Sequence, residues 1–185
     1  VIRLVLLLHD LGKPETFTVD SAGVGHFYGH GEASRRLAEG VLTRLRFDRE
    51  TQRQVLDLIR YHDSDFLATP KSMRRWLRRL GEADLRRLIA IKQADNGAQS
   101  PHYSRQAELR EALKVLEAVL AEGVAITPRD LAVSGHDLEA LGISPGPRMG
   151  HVLAALLEAV TDEQCANRRE PLLALAHALM DSIKE

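Results

Sequence analysis

Cysteine occurs once in these 185 residues, at Cys165, so an intramolecular disulfide is impossible and a thiolate-built zinc site is disfavoured. A reducing, cytoplasmic setting is the corresponding expectation. Long apolar runs are also missing. None approaches the roughly 20 residues of a membrane span, and the opening Val1–Leu8 run, interrupted by Arg3, is too short for a secretory leader. An excess of one charge is absent too: 25 Lys and Arg stand against 26 Asp and Glu, a net charge of −1. That balance excludes a globally basic nucleic-acid binder, makes DNA an unexpected partner and shifts attention to local charge. Repeats and low-complexity tracts are not found. What is present, 44% hydrophobic and 28% charged residues, suffices to bury a core in one domain or two small ones.

Helix signals dominate, and the predicted fold class is all-α. Val1–Leu8 reads as a buried helix stopped by Gly12 and Pro14. Residues 15–28, turning around Asp20-Ser21-Ala22-Gly23, read as a short hairpin. Further helices are predicted over 31–46 with Leu37, Val41 and Leu45 inward, over 49–62, over 71–80 behind a Thr69 cap and Pro70, and over 82–94. The loose stretch Asn96–Pro101 is the expected boundary between domains 1–98 and 99–185. Beyond it, helices are expected over 104–122, after Thr127-Pro128, near 137–141, over 147–161 and, opened by Pro171, over 171–183.

The chemistry-bearing residues gather in the first half. His9-Asp10 closes the apolar run, and adjacent helical residues point about 100° apart, close enough for one ion to take an imidazole nitrogen and a carboxylate oxygen. His62 falls on the stripe of Val55, Leu58 and Ile59, and Asp95 on that of Leu85, Leu88 and Lys92. A carboxylate on a core-facing stripe needs a charge partner or a metal. Taken singly, His62 also reads as a hydrogen-bonded core residue, and Asp95 as a helix-end residue capping Asn96-Gly97. Jointly with the doublet, these residues suit a hydrolytic metal site.

Leu8-His9-Asp10-Leu11-Gly12-Lys13, then Gly25-His26-Phe27-Tyr28-Gly29-His30-Gly31-Glu32, Tyr61-His62 and Ala94-Asp95 resemble the HD family of metal-dependent phosphohydrolases over residues 1–100. Val133-Ser134-Gly135-His136-Asp137-Leu138, Leu141–Pro147, Gly150 and Asn167-Arg168-Arg169-Glu170 resemble the helical tRNA-binding region of the CCA-adding tRNA nucleotidyltransferases. The resemblance implies an HD helical bundle followed by a smaller helical RNA-binding region. It implies His9, Asp10 and Asp95 on one divalent ion, and His30 and His62 on a second ion or on the phosphate. It further implies Asp10 and Lys13 in catalysis, Lys13 neutralising the phosphate, with His26 a weaker candidate. Imidazole and carboxylate donors suit magnesium, manganese, iron, nickel or cobalt. The implied substrates are 2′,3′-cyclic phosphates and nucleotide monoesters, and the implied partner is tRNA. HD domains take a first ligand His from a helix upstream of the doublet, and the CCA-adding family carries its nucleotidyl-transferring head upstream; neither has a counterpart here, so a truncated piece is expected. A free-standing phosphohydrolase on small nucleotides and a catalytically inactive tRNA-binding scaffold are the alternatives.

Lys71 to Arg87 carries seven basic and two acidic residues. Arg74, Arg75, Arg78 and Arg79 pair at i and i+4 beside Trp76, a stripe suited to phosphates or, equally, a solvated face whose arginine stems cover apolar surface. The Gly142–Pro147 turn packs Leu138, Leu141 and Ile143 and breaks the chain, with Gly150 expected to admit a neighbouring helix. Its second reading is a phosphate cradle at the next helix start with Arg148. Cys165 reads as a small buried residue, and His102, His136, His151 and His177 as ordinary.

Overall fold

A computed structural model describes residues 1–65, 67–100, 102, 104–123 and 125–182. The fold is all-α: α1 Ile2–Leu8, α2 Lys13–Thr16, α3 His30–Arg44, α4 Arg49–Tyr61, α5 Pro70–Ala98, α6 Gln106–Ala121, α7 Gly135–Ala140, α8 Pro147–Thr161 and α9 Arg169–Ser182. Between α2 and α3, β1 (Thr18–Val19) pairs antiparallel with β2 (Gly25–His26), Thr18 opposite His26, as the predicted hairpin. Asp20 sets its turn by accepting the amides of Ala22 and Val24 at 2.9 Å each.

The chain divides into two compact units, one of Val1–Ala68 with Glu82–Leu113 and one of Thr69–Gly81 with Lys114–Glu185. The break inside α5 is Gly81, whose φ of 74° is left-handed and interrupts the helix where the sequence separates 71–80 from 82–94. Thr69 accepts the Ser72 amide as expected of a cap.

In the first unit, Val5 and Leu8 of α1, Val55, Leu58 and Ile59 of α4, and Leu85, Leu88 and Ile89 of α5 are buried. Asp84 is buried among them, held by Arg87 at 2.6 Å and Arg53 at 3.7 Å. Four expectations need correction. α1 buries one side only, with Leu7 73% exposed, because a seven-residue helix packed against α4 has one inward stripe. Pro14 opens α2 instead of ending α1; lacking an amide hydrogen, it is compatible with a helix's first turn. α3 is rotated from the predicted register. Ser34, Ala38 and Leu42 face inward while Leu45 is 60% exposed, since small residues let α3 approach its neighbours closely. Finally, α5 continues through Ala98 across the predicted loop. There Asn96 Oδ1 accepts the Arg105 amide at 2.8 Å and Gln106 Nε2 donates to the Gln93 carbonyl at 2.7 Å, fastening the next segment to the helix. Pro101, the last residue of that predicted loop, lies outside the described residues.

The second unit buries Leu131, Leu138, Ile143, Val152, Leu156 and Leu172, among others. Gly142 and Gly146 have φ of 87° and 144°, the left-handed backbone that this glycine-rich turn requires. Gly150 admits no close neighbour: a Cβ there meets nothing within 4 Å, so α8 simply tolerates it. α9 begins at Arg169, two residues ahead of Pro171, which sits within its first turn; Ile183 of the predicted helix lies outside the described residues. Asn167 clips two loops, its Oδ1 accepting the Ala132 amide at 2.8 Å and its Nδ2 donating to the Asp130 carbonyl at 2.9 Å.

α7 starts with a capping box: Ser134 accepts the Asp137 amide, Asp137 accepts the Ser134 amide at 2.8 Å, and Arg169 adds a contact at 2.9 Å. The Ser134 hydrogen bonds, and then Arg169, pull the Asp137 carboxyl down to about 2. A folded value below the ordinary 3.8 means that the ionised form stabilises the fold above pH 4, and that this contribution drains as pH falls from 3.8 through 2. Asp137→Asn should therefore lower the melting temperature at pH 7, and the gap from wild type should close by pH 2. A pH-independent gap would deny the carboxylate this role.

Candidate metal centre

Three histidines share one local device. His9 caps the end of α1 and its Nδ1 lies 2.9 Å from the Leu6 carbonyl; His30 starts α3 with Nδ1 2.9 Å from the Phe27 carbonyl; His62 caps α4 with Nδ1 2.6 Å from the Ile59 carbonyl. A carbonyl can only accept, so each Nδ1 carries the proton and each Nε2 presents a lone pair. Those lone pairs converge. His30 Nε2 and His62 Nε2 are 3.0 Å apart, and Asp10 Oδ1 lies 3.6 Å from the first and 3.9 Å from the second. His9 Nε2 is 3.4 Å from both Asp10 Oδ2 and Asp95 Oδ1.

Two glycines bring the segments together. A Cβ on Gly12 would lie 2.5 Å from the Ser34 amide nitrogen of α3, and the Gly12 amide donates to Ser34 Oγ at 2.9 Å. A Cβ on Gly31 would lie 3.1 Å from the Arg60 carbonyl of α4. Only glycine lets the doublet's turn and the end of α4 approach α3 this closely, which places Asp10, His30 and His62 in mutual reach. Gly29, at φ 76°, turns the chain into α3.

Two polar atoms at the centre lack a protein partner among the described residues. His9 Nε2 and Asp10 Oδ1 are buried without a hydrogen-bond partner among the described residues. Burial holds His62 below the ordinary imidazole range, His9 and His30 adding to it against the Ile59 hydrogen bond, so the ring is neutral at pH 7. Facing lone pairs at 3.0 Å repel unless a cation lies between or beside them. His9, Asp10 and His62 each offer an atom to a common point, all within 4.8 Å of one another, and the donor set fits a divalent ion.

The model of the family described as tRNA nucleotidyltransferase domain 2 (putative) matches residues 30–176. The chain belongs to this family. It is 35% identical over 86% of its length to the A-adding tRNA nucleotidyltransferase of Deinococcus radiodurans, and 35% identical over 91% to the CC-adding tRNA nucleotidyltransferase of Thermus thermophilus. It spans 37% and 38% of those relatives. No solved structure matches it. The family match starts at His30, so the His9-Asp10 doublet precedes the matched span.

In this tRNA nucleotidyltransferase domain 2 chain the remaining sequence candidates separate. Lys13 Nζ binds Asp10 Oδ2 at 2.7 Å. His26 pairs with Asp20 at 2.8 Å inside the hairpin and stands apart from the converging donors. His136 is exposed beside Glu139. Sequence reasoning missed three groups. Asp63 Oδ2 lies 3.7 Å from His30 Nδ1. Lys92, read only as part of a helical stripe, donates from Nζ to the His62 carbonyl at 2.6 Å and closes the end of α4. Burial is the main force drawing its ammonium down to about 8. Arg105 joins Lys92, Asn96 and Gln99 around a cavity of about 160 Å³ that His62 and Asp95 also line. A long polar residue on an apolar stripe six positions before the end of α5 was the available signal for Lys92; nothing in spacing marked Arg105.

The arginine stripe lies in the second unit. Arg74 is bound by Glu122 at 3.0 Å and by Glu163, while Arg75 holds Asp162 through two contacts of 2.9 and 2.6 Å. Arg78 reaches Thr161 at 3.5 Å, and Arg79 lies 5.4 Å from the Trp76 ring centre. Arg86 and Arg87 belong to the first unit and pair there with Glu82 and Asp84. Arg148 is exposed in the first turn of α8. Among the described residues no helix is long and apolar enough to cross a membrane.

Proposed function

We infer that this chain is the C-terminal portion of a CCA-adding tRNA nucleotidyltransferase-like protein, with an HD-type metal-dependent phosphohydrolase centre within residues 1–98 and a helical tRNA-binding region in 99–185. The observation that carries the reading is the convergence of three imidazole Nε2 atoms on the Asp10 carboxylate, with two buried polar atoms, His9 Nε2 and Asp10 Oδ1, lacking a hydrogen-bond partner among the described residues. Burying such groups without a cation costs several kcal/mol, at the order of magnitude.

His9, Asp10 and His62 would hold a divalent ion of the magnesium, manganese, iron, nickel or cobalt kind, with His30 and Asp95 as flanking donors. Such an ion, when bound, lowers the pKa of water and offsets charge on phosphoryl oxygens. The chain's residues do the rest. The carbonyls of Leu6, Phe27 and Ile59 fix the imidazole tautomers, as partners behind metal-binding histidines do. Lys13 orients Asp10 through the 2.7 Å pair and supplies a positive charge for the phosphate. The substrates would be 2′,3′-cyclic phosphates and nucleotide monoesters, and the macromolecular partner tRNA, as the relatives' names suggest.

Elemental analysis of the purified chain after manganese or nickel loading, with hydrolysis of adenosine 2′,3′-cyclic phosphate, tests this. About one ion per chain and metal-dependent release of a phosphomonoester are expected. A chain that takes up no metal and hydrolyses nothing is a scaffold, and the phosphohydrolase reading falls.

For tRNA the stripe now has an internal order. Phosphates must compete with Asp162, Glu122 and Glu163 for Arg75 and Arg74, and Arg78, beside Thr161, and Arg79, beside Trp76, line the same groove as Arg75, Glu158 and Asp162. Reversing Arg78 and Arg79 to Glu should weaken tRNA binding and lower the slope of log affinity against log salt by about 2, one per lost phosphate contact. An unchanged slope would move RNA contact to Arg148 and the Gly142–Pro147 turn.

A further inference from the structure

Aromatic residues are scarce in this chain, eight in all, yet Phe17, Phe27 and Tyr28 fall within the hairpin segment. They are not there to build a core. Phe17 is 54% exposed, Phe27 38% and Tyr28 76%. Their rings are nevertheless arranged. Phe17 and Phe27 meet with centres 5.3 Å apart, and His26 stacks on Tyr28 at 5.0 Å with the planes only 12° apart. Gly25 gives the Phe17 ring its seat, since a Cβ there would lie 2.8 Å from that ring's edge. The two ring pairs are thus distinct, Phe27 with Phe17 and His26 with Tyr28.

The Phe27 face adjoins the metal centre through two direct links. The Phe27 carbonyl accepts the His30 Nδ1 proton at 2.9 Å. Lys13 Nζ lies 5.5 Å from the Phe27 ring centre while bound to Asp10 at 2.7 Å. Flat apolar surface, one ammonium and a cation-binding carboxylate thus follow one another along the site. A nucleotide has the matching order of flat base, ribose and anionic phosphate. A plain aliphatic phosphate would leave the rings unused, and an apolar protein segment would bring no anion to Lys13 and the donors beside it.

We propose that Phe27 and Phe17 form a stacking platform for the base of a terminal nucleotide whose phosphate is held at the His9, Asp10 and His62 centre, so that the site prefers nucleoside phosphates to small phosphodiesters. This rests on the phosphohydrolase reading for its second half. Base–aromatic stacking tolerates any base, so the platform sets substrate class without sequence preference.

The test compares adenosine 2′,3′-cyclic phosphate with glycerol 1,2-cyclic phosphate, the same strained diester without a base. In the metal-loaded chain, Phe27→Leu should lower the ratio of the two kcat/KM values about tenfold, mainly through KM for the nucleotide, the scale of one lost stack. Phe27→Tyr should restore the ratio, which separates stacking from damage to the hairpin, and Phe17→Leu should repeat the loss. Dialysis binding of adenosine 2′,3′-cyclic phosphate reads the platform without turnover. If wild type binds but does not hydrolyse, and Phe27→Leu loses binding, the phosphohydrolase reading fails and the platform stands. An unchanged ratio with unchanged binding overturns the platform. So does a change of sedimentation coefficient in Phe27→Leu at constant binding, which would assign the aromatic face to a second copy of the chain.

Discussion

After manganese loading, Asp10→Ala is expected to retain no divalent ion. Asp10 is the carboxylate on which His30, His62 and Lys13 converge, and its Oδ1 is buried without a hydrogen-bond partner among the described residues. Losses confined to groups behind the ligands typically cost 10–100-fold in metal affinity, so removing a charged ligand should exceed about 100-fold. Elemental analysis after gel filtration, with circular dichroism to show that the helices remain, checks this. Hydrolysis of adenosine 2′,3′-cyclic phosphate should disappear with the metal. Stoichiometric metal in a folded Asp10→Ala chain would remove Asp10, and the centre built around it, from consideration. A loss in Asp95→Ala smaller than in Asp10→Ala would fit its geometry, since Asp95 reaches the cluster through His9 at 3.4 Å.

Gly12→Ala should have the largest effect on stability. Its Cβ would sit 2.5 Å from the Ser34 amide nitrogen and 2.8 Å from the Ala33 carbonyl carbon, main-chain atoms of α3 that cannot rotate away. Overpacking of this kind costs about 1–3 kcal/mol, and displacing the hydrogen bond from the Gly12 amide to Ser34 Oγ adds about 1 kcal/mol. Urea unfolding should show the midpoint falling with little change in slope. Metal affinity should fall in parallel, because the same contact holds the doublet against His30. A wild-type midpoint would mean that α3 shifts freely, and the close approach would lose its importance.

The helices, their class and most of their limits were legible because periodicity and caps are local. Thr69 with Pro70, the break near Gly81 and the turn before Pro147 could be read from neighbouring residues alone. The face of α3 could not. Leu37, Val41 and Leu45 outrank Ser34 and Ala38 in hydrophobicity, and only the close packing of α3 against α2 and α4 makes the small residues the inward ones. The ion pairs that occupy Arg74 and Arg75 were equally hidden, since Glu122, Asp162 and Glu163 lie far along the chain.

The same division runs through the candidate site. Sequence by itself determined which residues are chemically able to serve: a HisAsp doublet at a helix end, His30 at a helix start, His62 and Asp95 on helical stripes, Lys13 beyond the doublet. Residue type and spacing fix donor chemistry and approximate direction. Tertiary structure decided which of them meet. It selected His9, Asp10 and His62 as the group sharing one point, set His30 and Asp95 on its flanks, tied His26 into the hairpin and brought Lys92 to the His62 carbonyl. The physical reason is that Gly12 and Gly31 remove the Cβ atoms that would hold three segments apart. Close approach depends on what lies opposite a glycine, and that is a property of the packed chain rather than of its sequence neighbours.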